Sequence, residues 1–537
     1  MSSALLCILV ALVCAIGFAC TSQNPSIRRA GKALPRPPHT LPLVGNAFWF
    51  LQPRHVLLDW FVRCERRFGL ESFEISVPTL PPGVVISDAR NLEYVLKHDD
   101  IFTKGEFFKK RSWDLFGNGI INVDGPQWKL QRKAALPFFS STNLKNLIED
   151  VLPSYVADTR SELHDFARNG KTADLQHVFL KLTTRLMGNL AYDMDMDASA
   201  PFSDAFDFAS GAIGERFQNP FWKLKELIFG SQLRAAILEV KAFGKRIVNT
   251  ATESQGERSQ RDPATPNSAT ISSNTEPEHG KLIDSLMSAL GNPDAAADAA
   301  LNFLSAGKDT TAQALTWTFY LLMRHPDAVR LIRDELRELQ IQQRVPPDEA
   351  PSLGFDQLQP SSVPYLSAVF HESLRLYPPV PIEIKQCERA TTLPDGTFLP
   401  DSAIVVWCTW AINRSRCIWG DDAMLFQPDR WLEDDTPNPE ADDNAGMGKR
   451  KRKQKLKSKT AFEFPVFNGG PRTCMGKRMA ELQAAYVIAT LVWEFNFEEA
   501  DTCAEGHQRL ERLSRNSLTL PMEGGLPCDI ALEKHDT

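Results

Sequence analysis

Residues 464–476 read Phe-Pro-Val-Phe-Asn-Gly-Gly-Pro-Arg-Thr-Cys-Met-Gly, and they set one thiol, Cys474, among residues that serve backbone shape more than bulk. Glycine reaches conformations closed to other residues, so such a chain can fold back and aim its amide N–H groups at the sulfur. Amide donors directed at a thiolate lower its electron density and tune its potential, and Arg472 adds a positive charge nearby. A lone thiolate of this kind suits a soft metal held at one axial position. Zinc is disfavoured, because no other Cys or His sits at ligand spacing nearby. A second set of polar residues interrupts an apolar run at Ala306-Gly-Lys-Asp-Thr-Thr311. Gly307 removes side-chain bulk, Thr310 can turn its hydroxyl out of the helical ladder and open a bulge or groove, and Asp309 supplies a proton source. A helical glycine costs about 1 kcal/mol and a buried carboxylate is costly without a partner, so rules broken together at one place mark a site.

The elements that must position these groups are mostly helical. From Asp294 to Arg324 nothing stops a helix until His325-Pro326. At about 1.5 Å per residue it crosses a whole domain, and being apolar nearly all round it should be buried. Gly83-Val-Val-Ile-Ser87 and Ile404-Val-Val-Trp-Cys408, with a turn at Leu393-Pro-Asp-Gly-Thr397, predict a small sheet beside the helices. The expected fold is mainly α with a small β subdomain. Two stretches lack a buried face. Residues 251–280, rich in Ser, Thr, Pro and charge, read as a disordered surface loop. Residues 433–460 form a charged insertion that is acidic at Glu433, Asp434, Asp435, Glu440, Asp442 and Asp443, then basic from Lys449 to Lys459. A solvated loop is the plain reading of that insertion, with contact to anionic lipid or an acidic protein partner as the alternative.

Hydrophobic residues at 43% and charged residues at 24% are those of a globular protein, and a net charge of −7 argues against general nucleic-acid binding. The 10 cysteines form no CxxC pairs, which favours a reducing, cytosol-facing body. Ala4 to Cys20 is a run of 17 uncharged residues, followed by Arg28, Arg29, Lys32 and Arg36. This predicts one N-terminal membrane-anchor helix with the body in the cytosol. A cleaved signal peptide is the rival, but no basic region precedes the run. Residues 1–32 are thus expected to be anchor and basic flank, and 33–537 the catalytic domain, with proline-stiffened 34–45 as a hinge between them.

The spacing Phe467-x-x-Gly470-x-Arg472-x-Cys474-x-Gly476 closely resembles the haem-thiolate signature of the cytochrome P450 monooxygenases. Further matches stand in that family's order: Trp128-x-x-x-Arg132, Ala306-Gly307-x-Asp309-Thr310-Thr311, Glu372-x-x-Arg375 and Pro428-Asp-Arg-Trp431. The resemblance implies a cytochrome P450 fold from about residue 33 and haem b as cofactor, with Cys474 as the proximal iron ligand. It implies that Trp128, Arg132 and Arg472 bind the haem propionates, and that Lys385 stands where related sequences often carry a propionate-binding arginine. Phe467, Gly470 and Gly476 complete the cofactor loop. Asp309 and Thr310 correspond to the acid–alcohol pair that delivers protons to dioxygen, and Glu372, Arg375 and Arg430 to a buried triad bracing the Cys loop.

Four stretches, 122–132, 306–311, 393–397 and 418–431, resemble the branch that hydroxylates long-chain fatty acids and alkanes near the terminal carbon. Sterols or other lipids and xenobiotics are the alternative substrates, and a non-catalytic haem sensor or carrier is the alternative of another class. Phe107, Phe108, Trp113, Leu115 and Phe116, with Phe303 and Ala306 on the long helix, are candidates for an apolar substrate channel. No flavin or nicotinamide fingerprint is present, so electrons are expected from NADPH through a separate flavoprotein reductase. The resemblance places the protein in the endoplasmic reticulum membrane as a single-pass protein with a cytosolic catalytic domain.

Overall fold

The computed structural model describes residues 27–534 except 43, 79, 197–200, 262–280, 347–348, 435–453 and 501–510, and leaves out the side chains of 256–261. The helices that matter for the site are α1 (Arg54–Phe68), α2 (Gly105–Phe116), α3 (Gly125–Ala135), α4 (Leu175–Tyr192), α5 (Pro201–Gln218), α6 (Trp222–Phe229), α7 (Ser231–Arg261), α8 (Pro293–Arg324), α9 (Pro364–Leu376) and α10 (Lys477–Glu494). The main sheet has five short strands, β1 (Phe73–Ile75), β2 (Gly83–Val85), β3 (Phe102–Thr103), β4 (Glu383–Cys387) and β5 (Ile404–Trp407), in the order β1-β2-β5-β4-β3. The expected strand pieces pair directly, with Ile404 opposite Gly83 in parallel register. The fold class matches the expectation of a helical majority beside small sheets.

The long helix α8 starts one residue before the predicted position. Pro293 needs no N–H at the first turn, and the side chain of Asn292 accepts a hydrogen bond from Ala295 N. Its burial reaches most of the way round from Ala296 to Leu322, as an apolar cylinder requires. A helix and a loop segment clasp it near the site. α4 crosses at Gly307, where an added Cβ would stand 2.6 Å from Met187 Sδ. The segment from 511 onward is tied on by Gln313, which bonds Thr519 Oγ1 at 2.9 Å and receives Leu520 N at 2.8 Å. The predicted bulge at Thr310 is absent. The helix stays α-helical throughout, because the Thr310 hydroxyl donates back to Ala306 O at 2.6 Å and leaves the ladder intact.

Other sequence expectations need correction. α7 runs to Arg261, so 251–261 is helix and not loop, while 262–280 lies outside the described residues. The catalytic body begins before residue 33. Arg28–Arg29 pairs with Phe398 and Thr397 in a sheet, Ile27 is fully buried, and Arg29 forms ion pairs with Glu71 and Asp395. The proline-rich stretch is docked on this body, with Leu34 buried and Pro35 O accepting from Glu74 N at 2.9 Å. The predicted anchor run lies outside the described residues, among which no helix is long and apolar enough to cross a membrane. The charged insertion closes on a two-stranded ladder, Leu432–Asp434 against Gln454–Leu456.

The predicted triad is the buried electrostatic centre of the fold. Glu372 and Arg375 are fully buried on α9, and Arg375 grips the carboxylate with two bonds of 2.8 Å. Arg430 Nε adds a third at 2.9 Å, and Trp431 Nε1 and Gln427 N a fourth and fifth. Arg375 also donates to the carbonyls of Asn413, Ala423 and Leu425, which fixes the whole meander from 413 to 431. The triad therefore reaches the Cys loop indirectly, through Trp431, whose ring meets Phe464 at 4.8 Å just before that loop. Truncating Glu372 leaves the fully buried Arg375 without a counter-ion, while the part-buried Arg430 keeps Asp422 at 3.2 Å. Glu372→Ala is expected to lose about 3–5 kcal/mol of stability, measured by thermal or urea unfolding, and to yield little pigmented protein.

Candidate active site

A single cavity of about 480 Å³ gathers the residues singled out from sequence. Cys474 lies on its wall, between the short helical turn Gly470–Arg472 and the start of α10. The thiol is accessible and lines this cavity. Its loop turns as its composition requires. Asn468 and Gly470 adopt φ of 58° and 62°, and a Cβ on Gly470 would meet Leu96 O at 2.2 Å. Cys474 N donates to Phe467 O at 2.8 Å, and Thr473 N to Gly470 O at 3.1 Å. Burial pushes the thiol pKa up, against the opposing pull of the Gly476 N–H and the Arg132 guanidinium.

The long helix supplies other parts of the wall, with Phe303, Ala306, Gly307, Asp309, Thr310 and Thr311. Asp309 is not open to solvent. Its carboxylate is 7% exposed and pairs with Lys308 Nζ at 2.5 Å, itself over the Phe206 ring at 5.1 Å. Burial pushes the Asp309 carboxyl above its usual range despite the ammonium beside it. Adjacent positions on a helix do not face each other, so sequence spacing gave no sign of this pair.

Cations ring the Cys474 side. Trp128 on α3 is buried, with the guanidinium of Arg472 4.2 Å and that of Arg132 5.4 Å from its ring centroid. Arg132 Nη1 donates to Thr473 O at 2.9 Å, and Lys385 Nζ to Phe102 O at 2.9 Å. No carboxylate among the described residues lies within ion-pair distance of either cation. Arg472 differs, being paired with Asp124 at 2.7 Å. Asp124 also accepts from Lys104 N and pairs with Lys109, so it organises this corner. Asp124 falls in the 122–132 stretch, but its position just before α3, beside Arg472 in space, is visible only in the fold.

Of the proposed channel residues, Phe108, Phe116, Phe303 and Ala306 line the cavity. Phe107, Leu115 and Trp113 do not. Phe107 is buried under the Arg111 guanidinium at 3.8 Å, Leu115 is in the core, and Trp113 is 47% exposed on the outer side of α2. The helical period separates Trp113 from Phe108 and Phe116, whereas Leu115, seven residues on from Phe108, shares their face and is taken up by the core. Ile120, Ile121, Val380, Ile382 and Leu518 also line the wall, and as apolar loop residues they carried no signal in sequence.

A thiol in a glycine-shaped loop shares one largely apolar cavity with a buried acid and an alcohol, a lining that suits a haem-thiolate oxygenase. Residues 35–521 match the family described as Cytochrome P450, and the chain belongs to that family. It is 27% identical to "Cytochrome P450 94A1" of Vicia sativa over 93% of this chain and 91% of that protein. It is 30% identical to "Cytochrome P450 94B1" of Arabidopsis thaliana over 89% and 90%, and 28% identical to "Cytochrome P450 monooxygenase cyp1" of Mycosarcoma maydis over 90% and 73%. It is a monooxygenase, and its family implies haem and electrons from a reductase.

The residues present fit a haem. A soft thiol faces the cavity, and two cations on the same wall, the part-buried Arg132 and the buried Lys385, donate hydrogen bonds only to backbone carbonyls and have no carboxylate partner among the described residues, as a pair of propionates would require. Lys385 yields a pH test. Burial, helped by Arg472, lowers its pKa to about 8. In the unfolded chain it keeps its proton to about 10.5, so between these values the unfolded state binds the extra proton and stability rises with pH. Below about 8 both states are protonated and the fold carries the full penalty. Haem-free protein is expected to gain about 3 kcal/mol in urea unfolding between those limits, and Lys385→Met to flatten that rise.

Proposed function

We propose that this monooxygenase hydroxylates a long-chain fatty acid or alkane at or near its terminal carbon, with O2 and two electrons passed from NADPH by a separate flavoprotein reductase. The observation that carries this reading is one apolar cavity with Cys474 and the Asp309–Thr310 pair on its wall. Haem b, when bound, supplies the oxygen-activating chemistry, with a thiolate donating electron density that favours O–O cleavage. Cys474 would hold the haem iron, with the Gly476 N–H moderating the charge on its sulfur. Arg132, Arg472, Trp128 and Lys385 would orient the cofactor through its carboxylates, and Phe467, Gly470 and Gly476 would shape the loop that holds it.

One oxygen atom enters a C–H bond and the other leaves as water, so two protons must reach a site walled by apolar groups. Thr310 holds a hydroxyl at the cavity wall, now donating to Ala306 O, and rotation about one bond redirects it. Asp309, raised by burial, is poised to hold a proton, and Lys308 fixes its carboxylate until exchange is needed. The apolar walls at Phe116, Ile120, Ile121 and Phe303 exclude water and suit a hydrocarbon chain. The long-chain substrate reading also rests on the four stretches that resemble the fatty acid and alkane hydroxylating branch.

Membrane attachment is supported by α6, which buries no residue and exposes Leu224, Leu227, Ile228 and Phe229 by 60–79%. With the N-terminal apolar run it fits a cytosolic body on the endoplasmic reticulum membrane. The eight basic residues from Lys449 to Lys459 follow the triad meander and precede the Cys loop, a position suited to steering an acidic reductase. Neutralising them is expected to flatten the dependence of electron-transfer rate on ionic strength, and an unchanged dependence would remove that role.

The central test is spectroscopic and kinetic. Reduced protein under carbon monoxide is expected to show the long-wavelength Soret band, lost in Cys474→Ser. Thr310→Ala should keep that band while product formed per NADPH falls roughly tenfold or more. Full coupling in Thr310→Ala would refute the relay.

A further inference from the structure

One charged side chain on the cavity wall has no part in holding the cofactor. Arg54 opens α1, is 8% exposed, and lines the cavity with Leu57 and Phe61 of the same helix. Its Nη1 donates to the carbonyl of Ser517, and its Nε has no acceptor. No carboxylate among the described residues stands within ion-pair distance. Burial pushes its pKa down to about 10, so the guanidinium is still charged at neutral pH. A buried charge without a counter-ion is destabilising, and proteins seldom keep one except where a ligand supplies the opposite charge.

Its surroundings have the features of a polar head-group site. Ser517 Oγ meets Ser210 Oγ at 2.9 Å, and Asn516, whose Oδ1 has no partner, also lines the cavity. These groups come from α1, α5 and the segment after Arg512, whereas the cations around Cys474 come from α3, β4 and the Cys loop. An added Cβ on Gly214 would lie 3.0 Å from Ser517, so α5 presses the segment against Arg54. The cavity thus has cations at two separate places, one set beside the thiol and one alone.

We propose that Arg54 binds the carboxylate of the substrate, which makes the substrate class a long-chain carboxylic acid rather than an alkane or a sterol. The acid lies with its head at Arg54 and its hydrocarbon along Phe61, Phe217 and Phe303, and the end remote from the carboxylate reaches Thr310. A planar guanidinium matches a carboxylate with two parallel N–H bonds, and burial of both groups strengthens them. This deepens the proposed function and rests on it.

The test uses the haem-loaded full chain as wild type, Arg54→Gln and Arg54→Lys, each checked for the carbon monoxide band. Hexadecanoic acid and hexadecan-1-ol are titrated against each, following the Soret shift, and products are analysed with reductase. Wild type should favour the acid over the alcohol by roughly tenfold or more. Arg54→Gln should lose that preference, and Arg54→Lys should keep part of it. A wild type that favours neither head group overturns the proposal even if no variant loads haem. If wild type hydroxylates the acid and Arg54→Gln keeps the same preference, Arg54 only holds Ser517 and the proposal fails, while the long-chain reading stands. If wild type turns over neither compound, both fall.

Discussion

The carboxylate of Glu372 sits where no water reaches it, and most of the proximal half of the molecule is arranged to make that tolerable. Five donors from Arg375, Arg430, Trp431 and the Gln427 amide converge on its two oxygens. The geometry that satisfies this one charge dictates the rest. Arg375 cannot hold Glu372 without spending its remaining N–H groups on the carbonyls of 413, 423 and 425, which pins a long irregular meander that has no ladder of its own. Trp431 carries the constraint onward, since its indole N–H is fixed by Glu372 while its ring packs on Phe464. The Cys loop starts there. A thiol presented from irregular backbone needs such a foundation, because a loop without regular hydrogen bonds is otherwise the least rigid place to hold a ligand.

The cavity above that loop is apolar with a few charges, and their pairing divides them by purpose. Arg472 and Asp124 neutralise one another and serve as architecture. Arg132, Lys385 and Arg54 are buried or partly buried with backbone carbonyls as their partners. A carbonyl satisfies a hydrogen bond but not a formal charge, so each of these cations is costlier in the empty fold than in a complex with an anion. The two on the thiol side fit the two carboxylates of the cofactor. The third has no such claimant.

Much of this was legible in the sequence where a local rule is broken for a global reason. The glycines around Cys474 needed positive φ and close approach, and Gly470 against Leu96 shows both. The length of α8 and the strands around Gly83 and Ile404 followed from pattern alone. What escaped was phase and partnership. Phe107 and Trp113 belong to the same aromatic run as Phe108 and Phe116, and only the rotation of α2 separates wall from core and surface. Arg54, Asp124 and Ser517 lie hundreds of residues from their neighbours in the site, and no pattern in the sequence joins them to those neighbours. The segment 251–261 looked disordered by composition, yet α7 continues through it, because a helix already nucleated is cheap to extend.

The pairing of Lys308 with Asp309 resolves a conflict built into the chemistry. A monooxygenase with an apolar cavity needs that cavity dry, and proton delivery needs a path to water; a carboxylate open to solvent would serve the second and spoil the first. Here the acid is closed off by its own helical neighbour, with Phe206 over the ammonium. Asp207, adjacent to that ring in sequence, pairs at 2.7 Å with the half-exposed Arg515, and its charge is felt by both Lys308 and Asp309. The outward Asp207–Arg515 pair and the inward Lys308–Asp309 pair are thus electrostatically linked through one layer of side chains. That layer sets the charge at this part of the cavity wall while the apolar lining stays closed to water.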